Sequence, residues 1–298
     1  MTLALVSKAG GSAPVLEDVA PPPLEPGDLR VRVTAASVEP VDTLIARGPG
    51  REIFGLTGTA GLGLSLTGVV TATGAGVTGF SAGDAVAALH RDFAAPVRAH
   101  AVETVVPAAT AAPLPDGLDP VDAAALPITA LTAALMVDAL GPAAGRTLLV
   151  IGAAGGVGGY ALALAAHVGW AVTGLARESD RDFVLRAGAR RLVTDLPGPS
   201  FDAVVDGAVL NAAGLAAVRD GGTFVSVPSA PPAASERGIE IGVPDGDPGR
   251  ARLAELLALA ASGVLEPRVA GRVPLAEAAT AYDKVAGGGQ RGRWLLVP

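Results

Sequence analysis

The sequence predicts an α/β protein in two parts, an extended, turn-rich N-terminal region followed by a doubly wound parallel sheet. Three observations predict it. Short β-prone runs cut by Gly and Pro fill the first hundred or so residues. From Thr147 onward, strands alternate with helix-length apolar runs. A glycine-rich turn, AAGGVGG, stands between the first of those strands and its helix.

Thr2 to Ser7 and Leu29 to Ala35 read as strands separated by the Pro-rich connection Ala20 to Gly27. Gly68 to Thr73, the turn-rich Gly74 to Asp84, Ala85 to Leu89 and Ala99 to Val106 follow. Asp119 and Pro120 suit the N-cap and first position of a helix, Val121 to Leu126, which Pro127 breaks or restarts before Ile128 to Leu140. The alternating region then runs strand TLLVIG, the glycine turn, helix YALALAAHVG and strand WAVTGLA. A helix around Asp180 to Ala187, strands RRLVT and FDAVVDG, helix LNAAGLAAVRD and strand GTFVSVP come next. PSAPPAAS, near residue 230, reads as a loop. Pro248 to Ser262 is a helix with Leu253, Leu256, Leu257 and Ala260 on one face. A final strand, Arg293 to Val297, needs a partner from elsewhere in the chain.

Composition narrows the function classes. A length of 298 residues suggests about two domains. Half the residues are hydrophobic and 17% are charged, so a membrane span must be weighed. The long uncharged run Ile53 to Gly83 is dense in Gly and Thr, which favours turns and strands over a lipid-facing helix. The N-terminus lacks the h-region of a secretory signal, so a cytoplasmic location is the default expectation. No cysteine is present, which removes thiolate nucleophiles and sulfur-based zinc sites. With a formal charge of −7 and no dense Lys/Arg block, nucleic acid is not an expected partner.

A strand ending in a Gly-rich turn that opens a helix is an anion site, because helix N-terminal N–H groups point outward and glycine admits a pyrophosphate. Ala153 holds the first position of the GxGxxG pattern, with Gly155 and Gly158 in the others, so Ala154, Gly155, Gly156, Val157 and Gly158 are expected to surround the phosphates. A ligand-free tight turn is the bland alternative. The second strand of such a unit ends about 20 residues later, where an acid suits the ribose of NAD and an arginine the 2′-phosphate of NADP. Here that place is Arg177, with Ser179 and Arg181 able to assist. NADPH is therefore the expected cofactor. A shift of one residue would bring Glu178 there instead, and Arg177 as a solvated surface residue is the other alternative.

With these motifs in view, the chain resembles the zinc-independent quinone oxidoreductases of the medium-chain dehydrogenase/reductase superfamily over nearly its whole length. The blocks AASVEPVDTLIARG, GVVTATGAGVTGFSAGDAVAAL, AAALPITALTAAL, AAGGVGG and FDAVVDG carry the resemblance, together with the ending PLAEAATAYDKVAGGGQRGRWLLV. It implies a GroES-like β-barrel domain from residues 1–119 and 265–298, with a Rossmann NADP(H)-binding domain from 120–264 inserted. It also implies a small-molecule substrate, an NADPH-filled cleft between domains, and a homodimer through edge strands such as Thr223 to Val227 or Ile239 to Val243.

The departures from that family are specific. Zinc-dependent relatives place a cysteine near Glu39 and a His-Glu pair near Leu64 and Ser65, so no metal is expected. Zinc-free members usually carry asparagine where Glu39 stands and glutamate where Ser65 stands. By resemblance, Thr132, the backbone after Val227 and Ser229 line the nicotinamide end, and Glu39 and Asp42 lie near the nicotinamide ribose.

The chemistry expected is hydride transfer to a quinone or activated alkene. A partly desolvated Glu39 is the candidate proton donor or relay, its alternative being a hydrogen-bonding role alone. Tyr160, opening the helix after the glycines, is the second candidate, for a substrate carbonyl or for packing. His90, His100 and His167 lack ligand spacing and read as structural or surface residues. Tyr282 reads as core. A trans-acting enoyl or enone reductase and a catalytically silent nucleotide-binding scaffold are the alternative functions.

Overall fold

The computed structural model describes residues 1–227, 234–242, 244 and 249–298. The chain divides into two units. The first comprises Met1–Ile128, Gly249–Ala261 and Pro267–Pro298, and the second Thr129–Pro248 with Ser262–Glu266.

In the first unit the chain runs β1 (Thr2–Ser7), β2 (Val15–Val19), β3 (Asp28–Val38), α1 (Pro40–Ala46), α2 (Pro49–Ile53), β4 (Ala60–Gly61) and β5 (Ser65–Thr73). It continues through β6 (Ala85–Leu89), β7 (Glu103–Pro107) and β8 (Ala111–Pro113). Alternation along β3, Leu29, Val31, Val33 inward and Arg30, Arg32 outward, makes it a two-faced strand. Its inward residues form a core with Leu66, Val70, Val86 and Val106. The strand expected over Ala99 to Val106 is shorter: residues 99–102 make scattered backbone bonds to Gly63, Leu62, Leu5, Leu3 and Val33, and a regular ladder begins only at Glu103. The segment Val121 to Leu126 forms a single 3₁₀ turn, with Asp119 Oδ1 accepting from the N–H groups of Val121 and Asp122 at 2.9 Å.

The second unit holds α3 (Pro127–Asp138, its first two residues in the first unit), β9 (Thr147–Ile151), α4 (Gly156–His167), β10 (Ala171–Leu175), α5 (Arg181–Arg186) and β11 (Arg191–Val193). β12 (Phe201–Asp206), α6 (Ala212–Leu215), β13 (Val218–Ser226) and β14 (Glu240–Gly242) complete it. All strand pairings are parallel, in the order β11-β10-β9-β12-β13-β14. β9 and β12 are adjacent but lead to opposite sides of the sheet, the topological switch of a doubly wound fold. The helix expected from Leu210 to Asp220 shrinks to α6. Val218 onward joins β13, whose pairing with β12 outweighs the local helical pattern across Gly214, Gly221 and Gly222. β13 lies between β12 and β14, so of the two expected edge strands only β14 is an edge. Val243, placed in that strand by the sequence, lies outside the described residues.

The chain returns to the first unit as α7 (Gly249–Ala261), β15 (Val269–Pro274), α8 (Ala278–Ala286) and β16 (Arg293–Val297). α7 buries Leu253, Leu256, Leu257 and Ala260, the face its spacing predicts. It groups with the first unit, whereas the sequence division assigns it to the inserted domain. β16 enters the sheet antiparallel to β3 and parallel to β15, in the order β15-β16-β3-β5-β6-β8, with β7 also on β3. The orphan strand of the sequence thus has partners on both sides.

Glycine sets the closest approach in the second unit. A Cβ on Gly158 would sit 2.2 Å from the carbonyl oxygen of Gly152, and one on Gly207 would meet the Gly158 nitrogen at 3.0 Å. Gly152 itself has φ of +72°, a left-handed conformation that favours glycine. The Gly158→Ala variant is expected to lose about 2 kcal/mol or more of stability in urea unfolding, since backbone rather than a flexible side chain must move. A loss under about 0.5 kcal/mol would contradict this packing.

Candidate functional site

Two groups of residues carry chemistry, one in each unit. In the second, the carboxyl ends of β9, β10, β12 and β13 present their loops together, and α4 starts directly from the β9 loop. Gly155 is its N-cap, bonded from its own N–H to Gly152 O at 2.8 Å. Gly155, Gly156 and Val157 are half-buried while Ala154 and Gly158 are buried, so the loop exposes its backbone and hides its packing side. The N–H groups of a first helical turn have no partner within the helix and favour an anion. The loop thus turns the start of α4 and its half-buried backbone outward from the sheet's carboxyl end. The close contact of Gly158 meets the requirement that helix and strand meet tightly there.

At the end of β10, Arg177 is 63% exposed and its Nε lies 3.4 Å from Asp180 Oδ2. Arg181 is committed differently. Its guanidinium grips Glu178, with Nη2 donating to Oε2 at 2.8 Å, so the acid that competes for the ribose position is engaged by a neighbour. Ser179 is exposed on the same turn. Thr132 is half-buried on α3, and Tyr160 is 1% exposed within α4. Val227 donates its N–H to Asp206 O at 3.2 Å. Ser229 lies outside the described residues.

Sequence reasoning quoted FDAVVDG without giving it a role. Asp206, fully buried at the end of β12, accepts from Ala208 N at 3.0 Å and Asn211 N at 2.8 Å. It thereby holds a turn in which Val209 and Asn211 have positive φ. An aspartate followed by glycine at the end of an apolar strand was the available signal.

In the first unit, one end of the larger sheet gathers polar side chains. Ser37 pairs across to Ser65, Ser65 to Leu89, and His90 follows Leu89. Glu39, 3% exposed, accepts from Ser37 Oγ at 2.7 Å and from Arg293 Nε at 2.8 Å. Arg293 is the first residue of β16, so this ion pair ties the start of α1 to the strand that closes the sheet. Asp42 is fully buried and uses both oxygens on backbone N–H groups, those of Glu39 and Gly63, each at 2.9 Å. Ser65 Oγ accepts from Ile128 N at 3.1 Å.

His100 bridges Tyr282 Oη and Ser37 O, each at 2.9 Å. A carbonyl only accepts, so Nε2 carries the hydrogen and Nδ1 accepts from the tyrosine. Burial lowers the His100 pKa, which favours this neutral form, and pushes the Tyr282 hydroxyl well above its ordinary value. Tyr282 is core, as its helical spacing indicates, but a core residue with a bonded hydroxyl.

Among the described residues no zinc site is built. The chain has no cysteine, and among the described residues no three His, Asp or Glu side chains converge to hold a metal ion. At Glu39 the neighbouring cation is a guanidinium. The donor set does not fit zinc.

Residues 25–116 match the family model described as alcohol dehydrogenase GroES-like domain, and residues 179–296 that described as zinc-binding dehydrogenase. The chain belongs to the medium-chain dehydrogenase/reductase superfamily. Both matching models are those of dehydrogenases. It is 34% identical over 295 residues to the spectinabilin polyketide synthase system protein NorB of Streptomyces orinoci, an alignment covering 88% of this chain and 13% of that protein. A 2-methylene-furan-3-one reductase of Solanum lycopersicum is 30% identical over 231 residues, 72% of this chain and 59% of that one. The chain thus spans a small part of the polyketide synthase proteins it matches. Among solved structures, an alcohol dehydrogenase superfamily protein from Novosphingobium aromaticivorans superposes with a TM-score of 0.87 at 28% identity, covering 100% of both chains. No helix among the described residues is long and apolar enough to cross a membrane.

Two predictions follow from the polar end of the sheet. Removing one charge of a buried pair strands the other, so Glu39→Gln is expected to cost about 3 kcal/mol in urea unfolding, a cost that Arg293→Met in the same chain partly relieves. A loss below about 1 kcal/mol would show the pair to be solvated. The second concerns acid. Burial, with the Arg98 charge adding, lowers the His90 pKa to about 4, and burial lowers that of His100 as well. Between about pH 6.5, where unfolded imidazole titrates, and pH 4 the unfolded chain binds more protons. Stability is therefore full above pH 6.5 and is lost as pH falls. Urea midpoints are expected to drop from pH 6.5 to 5, with a shallower drop in His90→Gln; a flat wild-type profile would contradict it.

Proposed function

We propose that this protein is an NADPH-dependent, zinc-free reductase of quinones or activated alkenes, with the alkene the better-supported acceptor. Arg177 carries the cofactor reading. It stands at the end of β10, exposed, where a carboxylate would repel a 2′-phosphate and a guanidinium can bind one with charge-assisted hydrogen bonds. The acid beside it, Glu178, is held by Arg181. The α4 N-terminus takes the pyrophosphate through the backbone of Gly156, Val157 and Gly158. Thr132, the backbone after Val227, and Ser229 are the proposed neighbours of the nicotinamide end.

When bound, the nicotinamide supplies the hydride. The chain's own part is orientation and exclusion of competing reactions. Glu39 takes a positioning role in this reading, its carboxylate being engaged by Arg293 and by the Ser37 hydroxyl. The proton that completes reduction of an enone or quinone comes from water. Tyr160, buried in α4, packs the helix. The preference for an alkene rests on the Solanum relative, whose named substrate conjugates an exocyclic alkene to a ketone. A homodimer would form through β14, the outer strand of the parallel sheet.

Calorimetric titration of the purified chain is expected to give NADPH binding at least tenfold tighter than NADH, about 1.4 kcal/mol, with the difference lost in Arg177→Ala. Equal affinities, or a preference that survives the substitution, would overturn the NADPH assignment.

A further inference from the structure

The first unit contains two arginines that are almost wholly buried, and it treats them differently. Arg51, 6% exposed, donates to Ser7 O at 3.0 Å, Ser7 Oγ at 3.1 Å and Leu56 O at 3.0 Å, and also to Gly58 O. It is a structural arginine with carbonyls around its fork. Arg98 is 0% exposed and donates only through Nη2, to His90 O at 2.9 Å, with its guanidinium over the Phe93 ring at 4.6 Å. Its Nε and Nη1 are buried without a hydrogen-bond partner, and among the described residues no carboxylate pairs with it. The histidines repeat the contrast. His100 uses both ring nitrogens, whereas His90, 5% exposed, has a buried Nδ1 with no partner.

The unsatisfied arginine and the unsatisfied histidine are joined through the carbonyl of His90 itself. Their place is the end of the sheet where Ser65 and Glu39 also lie. The nearby acids do not discharge the guanidinium. Asp42 is bound to two backbone N–H groups, and Asp92 accepts from Ala94 N at 2.9 Å. A buried donor left unmade is destabilising, and a buried charge without a partner more so. A guanidinium only donates, so what completes it must present acceptors. A carboxylate supplies those acceptors together with the compensating charge, and His90 Nδ1, as a donor tautomer, adds a further N–H.

We propose that Arg98 and His90 form a binding subsite for a carboxylate, either a small free acid or the acid end of a larger ligand. The test uses sodium acetate as the probe and requires neither cofactor nor turnover, so it stands or falls separately from the reductase reading. Thermal midpoints of the full chain are measured against acetate at constant ionic strength, balanced with sodium chloride. Broadening of the ¹³C-acetate resonance reports binding directly. The wild type is expected to show a saturable rise of about 2–4 °C and a broadened resonance. Arg98→Met is expected to lose both while melting no lower than the wild type without acetate, because it removes an uncompensated buried charge. His90→Gln is expected to weaken the response severalfold. If Arg98→Met does not fold, the wild-type titration and His90→Gln decide. No saturable response beyond chloride, as expected if water alone completes the arginine, or a response unchanged in the substituted chains, would overturn the proposal.

Discussion

The second unit depends on a contact that only glycine permits. The carbonyl of Gly152, the start of α4 at Gly158 and the turn at Gly207 lie too close for any Cβ at Gly158. The consequence reaches outward in steps. α4 can sit on the sheet with its first turn directed at the carboxyl ends of the strands. β9 and β12 can be neighbours while their helices leave on opposite sides. Asp206 can fold the following chain into a turn with two positive-φ residues. A half-buried backbone at the helix N-terminus is the by-product of packing without side chains.

The first unit solves a different problem, which is how to end a sheet among polar groups. Its solution is to pair nearly everything internally: Glu39 with Arg293 and Ser37, Asp42 with two amides, His100 with Tyr282 and a carbonyl. Such groups contribute little net stability against apolar replacements, but they are unforgiving of single losses. They also fix the join between β3 and β16, which are far apart in sequence. Against this background Arg98 and His90 stand out at this end of the sheet; Thr104 Oγ1, in β7, is likewise buried without a partner.

Legibility in the sequence followed the range of the forces involved. β6, β16 and the buried face of α7 were readable to the residue because short apolar runs bounded by turn residues, and a period-3.6 pattern, are local. The Gly loop was readable for the same reason. The helix after Asp206 was misjudged because parallel pairing of Val218 onward with β12 is a long-range reward that local propensity does not contain. β2, β4 and β8, a few residues each, gave no usable period. In the candidate site, the place of Arg177 just after β10 was visible by its count from the glycines. The capture of Arg181 by Glu178, and of Glu39 by a residue 254 positions later in the numbering, could not be read from spacing.

The central claim is that the glycine junction and Arg177 serve a reductase of conjugated alkenes or quinones. Incubating the chain with NADPH carrying deuterium at nicotinamide C4 and a simple conjugated enone, then locating the label in the product by mass spectrometry and NMR, tests it most directly. Deuterium on the β-carbon of the saturated ketone is the predicted result. Binding of the nucleotide without label transfer to the enone or to a quinone acceptor would contradict it and leave a nucleotide-binding scaffold.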